Sequence, residues 1–232
     1  MAKRLDKWCD INWIIFLCAT ACAAAILSAI FWDKMPLGAK GGVFAAVIMA
    51  FHVLEEWKFP GGLHYFYNTL LGPKDPEKQE LDRYPMSRMT DMVTNIGLQW
   101  IPLVYVLLSF VTGLSNAVAM CMIIFCFVEV FAHFGAGFMT LHMYKDAGKK
   151  TIYDPGFATA CMMFLPAGIY LAVHLTGVTG RDWLWCIILF IIMILICIPL
   201  TETPLKKWVI KQEKGMFAFA SPKYFEQFLD KK

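Results

Sequence analysis

Five ionisable residues stand in stretches otherwise too apolar to carry charge. His52-Val-Leu-Glu-Glu56 sets a histidine and two glutamates at i, i+3 and i+4, positions that share one helix face. Glu129-Val-Phe-Ala-His133 repeats the i, i+4 spacing. Each ionised group at a bilayer centre costs on the order of 3 kcal/mol on insertion scales. Adjacent carboxylates also repel, so protons, basic partners or a metal must neutralise them. Imidazole suits Zn, Fe and Mn, and carboxylate suits Mn and Fe. His52, Glu55, Glu56, Glu129 and His133 are therefore expected to converge on one or two divalent ions (Zn, Fe or Mn). Glu55 or Glu56 is expected to act as the catalytic base. Asp91 and Asn95, again i, i+4, are expected to lie behind the ligands and orient the imidazoles, with His142 in a similar outer position. His64 follows Pro60-Gly61-Gly62 and reads as interfacial, and His174 reads as structural.

The elements that must position these groups are membrane spans. Of the 232 residues, 59% are hydrophobic and 17% charged, against roughly 45–50% and 25% in soluble domains. A water-soluble enzyme, a disordered chain and a nucleic-acid binder are all disfavoured. Apolar blocks run over residues 11–32, 42–57, 92–112, 116–143, 157–176 and 183–200. A span needs about 20 residues, so the second block is marginal by length, yet it carries the His-Glu-Glu group. Of the 21 Lys and Arg, only Lys34, Lys40 and Arg181 fall in the alternate loops if six spans alternate. That asymmetry predicts an all-α bundle of six transmembrane helices with both termini cytoplasmic, in the cell membrane. The predicted organisation is a six-helix domain over 1–205, with a cytoplasmic loop over about 60–91, and a basic, aromatic tail over 206–232. The tail is expected to be partly helical, either lying on the inner membrane surface or packing on the loop. The first apolar block reads as a signal anchor rather than a cleaved peptide. The eight cysteines are scattered and read as packing residues.

His52-Val-Leu-Glu-Glu56, followed by Phe59-Pro60-Gly61-Gly62, resembles the HXXEE domain family of integral membrane proteins. The resemblance continues at Glu129 and His133, and at Tyr153-Asp154-Pro155-Gly156 with Thr159-Ala160, covering roughly residues 45–165. It implies an integral membrane enzyme whose His and Glu residues bind metal or catalyse, with no defined reaction. On the residues themselves, Pro155 and Gly156 fit a helix start and a close backbone approach. Thr159 can then face the polar group from a fourth helix.

The expected function is a metal-dependent membrane enzyme acting on an apolar or amphipathic small molecule or lipid. The substrate enters from the bilayer, and the reaction is hydrolysis or oxidation. The alternative is an ion or metal transporter using the same carboxylates. No internal repeat of the kind common in transporters is visible.

Overall fold

The computed structural model describes residues 1–10 and 12–229. Ile11, where the first apolar block begins, and the last three residues of the 206–232 tail lie outside the described residues.

Among the described residues the chain is helical, without strands. A short α1 (Ala2–Trp8) leads into α2 (Asn12–Phe31), α3 (Leu37–Trp57), a short α4 (Leu63–Leu71), α5 (Arg88–Val111) and α6 (Ser115–Tyr144). Next come a single turn, α7 (Phe157–Thr159), a π-helical turn (Ala160–Phe164) and α8 (Leu165–His174). The chain ends with α9 (Gly180–Leu195), a second π-helical stretch (Ile196–Glu202), α10 (Thr203–Val209) and α11 (Glu226–Leu229). Six helical segments are long and apolar enough to cross a membrane. Their outward faces carry Ile26, Leu107, Phe131, Met162 and Val173, all exposed, as lipid contact requires and water does not tolerate.

The second span is longer than its apolar block. α3 starts at Leu37, five residues before Gly42, and occupies the centre of the bundle against α2, α5 and α6. Small residues make this possible. A Cβ on Gly42 would stand 2.6 Å from both Pro102 O and Val106 Cγ2 of α5, and one on Gly41 would stand 3.1 Å from Met122 of α6. The backbones approach because no side chain separates them. Lys40 is carried in this span with its ammonium 4.6 Å from the Trp32 ring centre. Gln99 ties three helices by donating to Leu17 O and Ala46 O, both at 2.9 Å.

α6 has 30 residues, a length of about 45 Å at 1.5 Å per residue. That exceeds a hydrocarbon core of about 30 Å, so one end projects. The π-helical turn before α8 lies just ahead of Pro166, whose missing N–H cannot close the regular ladder.

At the end of the bundle that holds the termini, the tail folds back onto α4 and the loop between α4 and α5. Buried Arg83 reaches the carbonyls of Glu213 (3.1 Å) and Met216 (3.4 Å), and Phe219 N donates to Asp82 O at 2.8 Å. Arg88 bonds Asp6 at 2.6 Å and Ala218 O at 2.6 Å, which fastens α1, α5 and the tail together. The tail therefore packs on the loop. Its described helices are the short α10 and α11 and a 3-10 turn at Lys223–Phe225, with an irregular stretch containing Gly215 and Pro222 between α10 and that turn.

Candidate metal centre

The last two turns of α3 and the middle of α6 turn their polar faces toward each other. His52 and His133 cross edge to face, ring centres 4.8 Å apart, and their Nε2 atoms are separated by 3.2 Å. Glu56 Oε1 lies 3.1 Å from His52 Nε2 and 3.4 Å from His133 Nε2. Glu129 Oε2 lies 3.6 Å from His52 Nε2. His52, Glu129 and His133 each offer one ligand atom, all within 4.8 Å of one another. All four side chains line one cavity of about 470 Å³. Both imidazoles and Glu56 are buried, and Glu129 is mostly so.

Glu55 points elsewhere. Its Oε1 accepts from Ala158 N (3.0 Å) and Tyr153 OH (3.1 Å), and its Oε2 from Thr159 N (2.8 Å) and Thr159 Oγ1 (2.6 Å). A carboxylate at a helix N-terminus satisfies amides that have no partner inside the helix. Four donors leave Glu55 no lone pair directed at the His-Glu group.

Those bonds set the tautomer of His52. The Thr159 hydroxyl proton is directed to Glu55, so Thr159 Oγ1 accepts from His52 Nδ1 at 2.8 Å. Nδ1 carries the hydrogen and Nε2 the lone pair. On the other ring, His133 Nδ1 faces Asp154 Oδ1 at 3.9 Å. Asp154 is fully buried, and both its oxygens and His133 Nδ1 lack a hydrogen-bond partner. Burial pushes the Asp154 carboxyl up, with His133 and Lys149 pulling it back. The pairing gives His133 the same polarity: Nδ1 toward the acid and Nε2 toward His52. Gly156, at φ +97°, makes room for this, since a Cβ there would collide with the His133 ring.

A model of the HXXEE family, described as proteins of unknown function with an HXXEE motif, matches residues 43–171. The chain belongs to this family. The matched stretch spans α3 to α8 and contains the whole centre, with the HXXEE motif itself at His52–Glu56. No curated protein and no solved structure matches the chain.

Within this HXXEE protein the structure thus brings together His52, Glu56, Glu129 and His133, and sets Glu55 and Thr159 behind His52. Asn95 does not reach either imidazole. Its Nδ2 donates to Asp91 O and Oδ1, both at 2.9 Å, and both residues line the cavity beside the centre. His142 is exposed on the last turn of α6, away from the centre. His64 is buried against Phe219, and burial together with Lys223 holds it down at about 3. The role of Asp154 escapes the helical spacing rules because it lies in a loop. Its position, two residues ahead of Gly156 at the start of a span, is the only cue.

Proposed function

We propose that the HXXEE centre is a divalent-metal site and that the protein is a membrane-embedded hydrolase of apolar or amphipathic substrates. The single observation that carries this is the pair of Nε2 atoms facing each other at 3.2 Å. Two nitrogens on one tetrahedral ion, each at about 2.0–2.1 Å, stand roughly 3.3 Å apart. His52 is held from behind by its hydrogen bond to Thr159 and through it by Glu55, and a carboxyl, Asp154, stands behind His133 at 3.9 Å. Such groups behind a ligand raise its basicity and orient its ring. His52, His133 and Glu129 make three ligands, which leaves a fourth position open, as catalytic sites do. When bound, the cation supplies Lewis acidity toward a substrate carbonyl or phosphoryl group and lowers the pKa of water.

Glu56 then serves as the base. Its carboxylate borders both imidazoles, and it accepts the proton of the attacking water as the new C–O or P–O bond forms. It returns that proton to the leaving atom as the old bond breaks, so the carboxylate is regenerated. The buried walls of the cavity keep bulk water away from the reacting atoms. Apolar lining from α4 (Leu63, Phe66, Leu70) and α6 (Phe131, Ala132, Met139) favours a lipid-soluble substrate. Beyond Asn95 the buried polar side chains described are Gln99, Tyr105, Ser109 and Asp182. The first three donate to backbone carbonyls and Asp182 caps α9, so among the described residues none of the buried polar groups between Asn95 and the far end of the bundle is a carboxylate or a histidine except the end-capping Asp182. This supports an enzyme over a carrier. We read both termini and the centre as cytoplasmic, which the distribution of Lys and Arg supports.

Elemental analysis of protein purified in detergent without chelator tests the reading. We expect about one divalent ion per chain. It should be lost in His52→Ala and His133→Ala, weakened in Glu129→Gln, and retained in Glu56→Gln. Metal-free wild-type protein, or metal unaffected by loss of either histidine, refutes it.

A further inference from the structure

The cavity beside the centre has a second polar station on its α5 wall. Asp91 is 8% exposed there. One carboxylate oxygen accepts from the Trp57 indole and the other from the Asn95 amide. Among the described residues it has no ion-pair partner. One turn further, Thr94 Oγ1 is buried in the cavity lining without a hydrogen-bond partner. The described lining contains Glu56, Glu129, Asp91 and Glu202 but no Lys or Arg. Lys206 stands just behind it, committed to Glu202 at 2.5 Å. The remaining lining is largely apolar, with Leu63, Phe66 and Leu70 from α4 and Leu98 from α5. The rim residues Leu71, at the end of α4, and Phe131, on the outward face of the α6 span, are 56% and 70% exposed.

We infer that this cavity selects a single-chain amphiphile with a cationic amine head and rejects phosphate-headed lipids. The inference deepens the proposed function and rests on it for the site of chemistry, since it names the substrate class of the same cavity. Three histidine and glutamate ligands with Glu56 would balance a divalent ion, which leaves Asp91 as a buried carboxyl with no counter-ion of its own, one that is ionised only when a cation pairs with it. Buried charge is stable only when paired. An ammonium head supplies that charge, with N–H donors for Asp91 and for the unpartnered Thr94 hydroxyl. A phosphate head meets the opposite situation: like charge from Asp91, a Glu202 already neutralised by Lys206, and neither an Arg fork nor a Lys ammonium in the described lining to receive it. The aliphatic chain runs along Leu98 toward the lipid-facing rim, the route by which a membrane-dissolved molecule arrives.

Native mass spectrometry of the detergent-purified full chain, offered hexadecylamine, hexadecanol and hexadecyl phosphate in competition, decides the matter, with metal content measured on the same sample. The amine should bind at least about tenfold more tightly than either competitor, equivalent to about 1.4 kcal/mol. Asp91→Asn, which keeps the shape and an acceptor for Trp57, should abolish that preference and leave hexadecanol binding unchanged. Leu98→Trp, filling the chain end, should block all three. Phosphate or alcohol binding as tightly as the amine in wild type overturns the inference without recourse to any variant, and so does a preference that survives Asp91→Asn. Metal retained with no amine preference refutes this inference alone, whereas amine preference in metal-free protein refutes the metal reading alone.

Discussion

The acids of the motif divide their labour through what lies behind them. Glu55 and Glu56 are neighbours, yet successive helical residues are rotated by about 100°, so one faces the α7 turn and the other faces His133. Glu55 fixes Thr159, Thr159 fixes His52, and only Glu56 keeps a free edge toward the cavity. Asp154 stands behind His133 as Thr159 stands behind His52, at 3.9 Å and without a hydrogen bond. Asp154→Asn should therefore weaken zinc affinity about 10- to 100-fold while the bundle still folds. A chelator competition titration reads this directly, and an unchanged affinity removes Asp154 from the centre. Gly156→Ala should be worse than its single methyl suggests, because the residue sits at φ +97° and its Cβ enters the His133 ring. Loss of metal together with a lower melting temperature is expected, against no change for Gly148→Ala in metal content, since a Cβ there meets nothing within 4 Å.

At the scale of elements, α3 is a span by virtue of its neighbours. Gly38, Gly41 and Gly42 lower its hydropathy but bring α5 and α6 into backbone contact, and that contact aims His52 and Glu56 at α6. Gly42→Val should push α3 from α5 and destabilise by roughly 1–3 kcal/mol, the usual range for overpacking. Gly135→Ala on α6 meets nothing within 4 Å and should gain up to about 1 kcal/mol of helix propensity. Thermal unfolding in detergent compares the two, and equal melting temperatures would show that close approach is not what holds α3. The fold-back tail has its own signature. His64 is stacked on Phe219, ring centres 3.8 Å apart, and its pKa is lowered from the ordinary 6.5 to about 3 by burial and by Lys223. A histidine whose folded pKa is depressed stays neutral in the folded state while the released segment takes up a proton. The stability it reports is complete above about pH 6.5 and drains away as pH falls from there toward 3, by up to about 1.4 kcal/mol per pH unit. Proteolysis of the tail should accelerate across that window in wild type and not in His64→Phe, which keeps the stack. Identical pH profiles for the two would clear His64 of this role.

For the whole molecule, the charge distribution and the bundle make one joint statement. The α5–α6 and α8–α9 turns, at Gly113 and Gly177, lie at the end opposite the termini. In a background freed of native cysteines, Gly113→Cys and Gly177→Cys should react with an impermeant maleimide added outside intact cells. Lys78→Cys should react only after permeabilisation. The reverse pattern inverts the topology and moves the centre to the outer leaflet.

Span number, the helix identity of each block and the membership of His52, Glu56, Glu129 and His133 in one polar group were all legible in the sequence. Helical periodicity and the cost of burying charge in lipid are local rules, and they act on residues three and four apart. They could not separate Glu55 from Glu56, because both lie on the half of the helix that avoids lipid, and only the docking of the α7 turn chooses between them. They could not recruit Asp154, which acts from a loop brought under α6 by Gly137, where a Cβ would strike Ile152 O. They also assigned Asp91 and Asn95 to the imidazoles, although the crossing of α3 and α5 pairs those residues with Trp57 and with each other. Which groups share a helix face follows from the chain alone, because the helix repeat is fixed. Which of them meet across 50 or 100 residues was decided by the packing of three helices on α3, a matter of small-residue contacts that no single stretch of sequence contains.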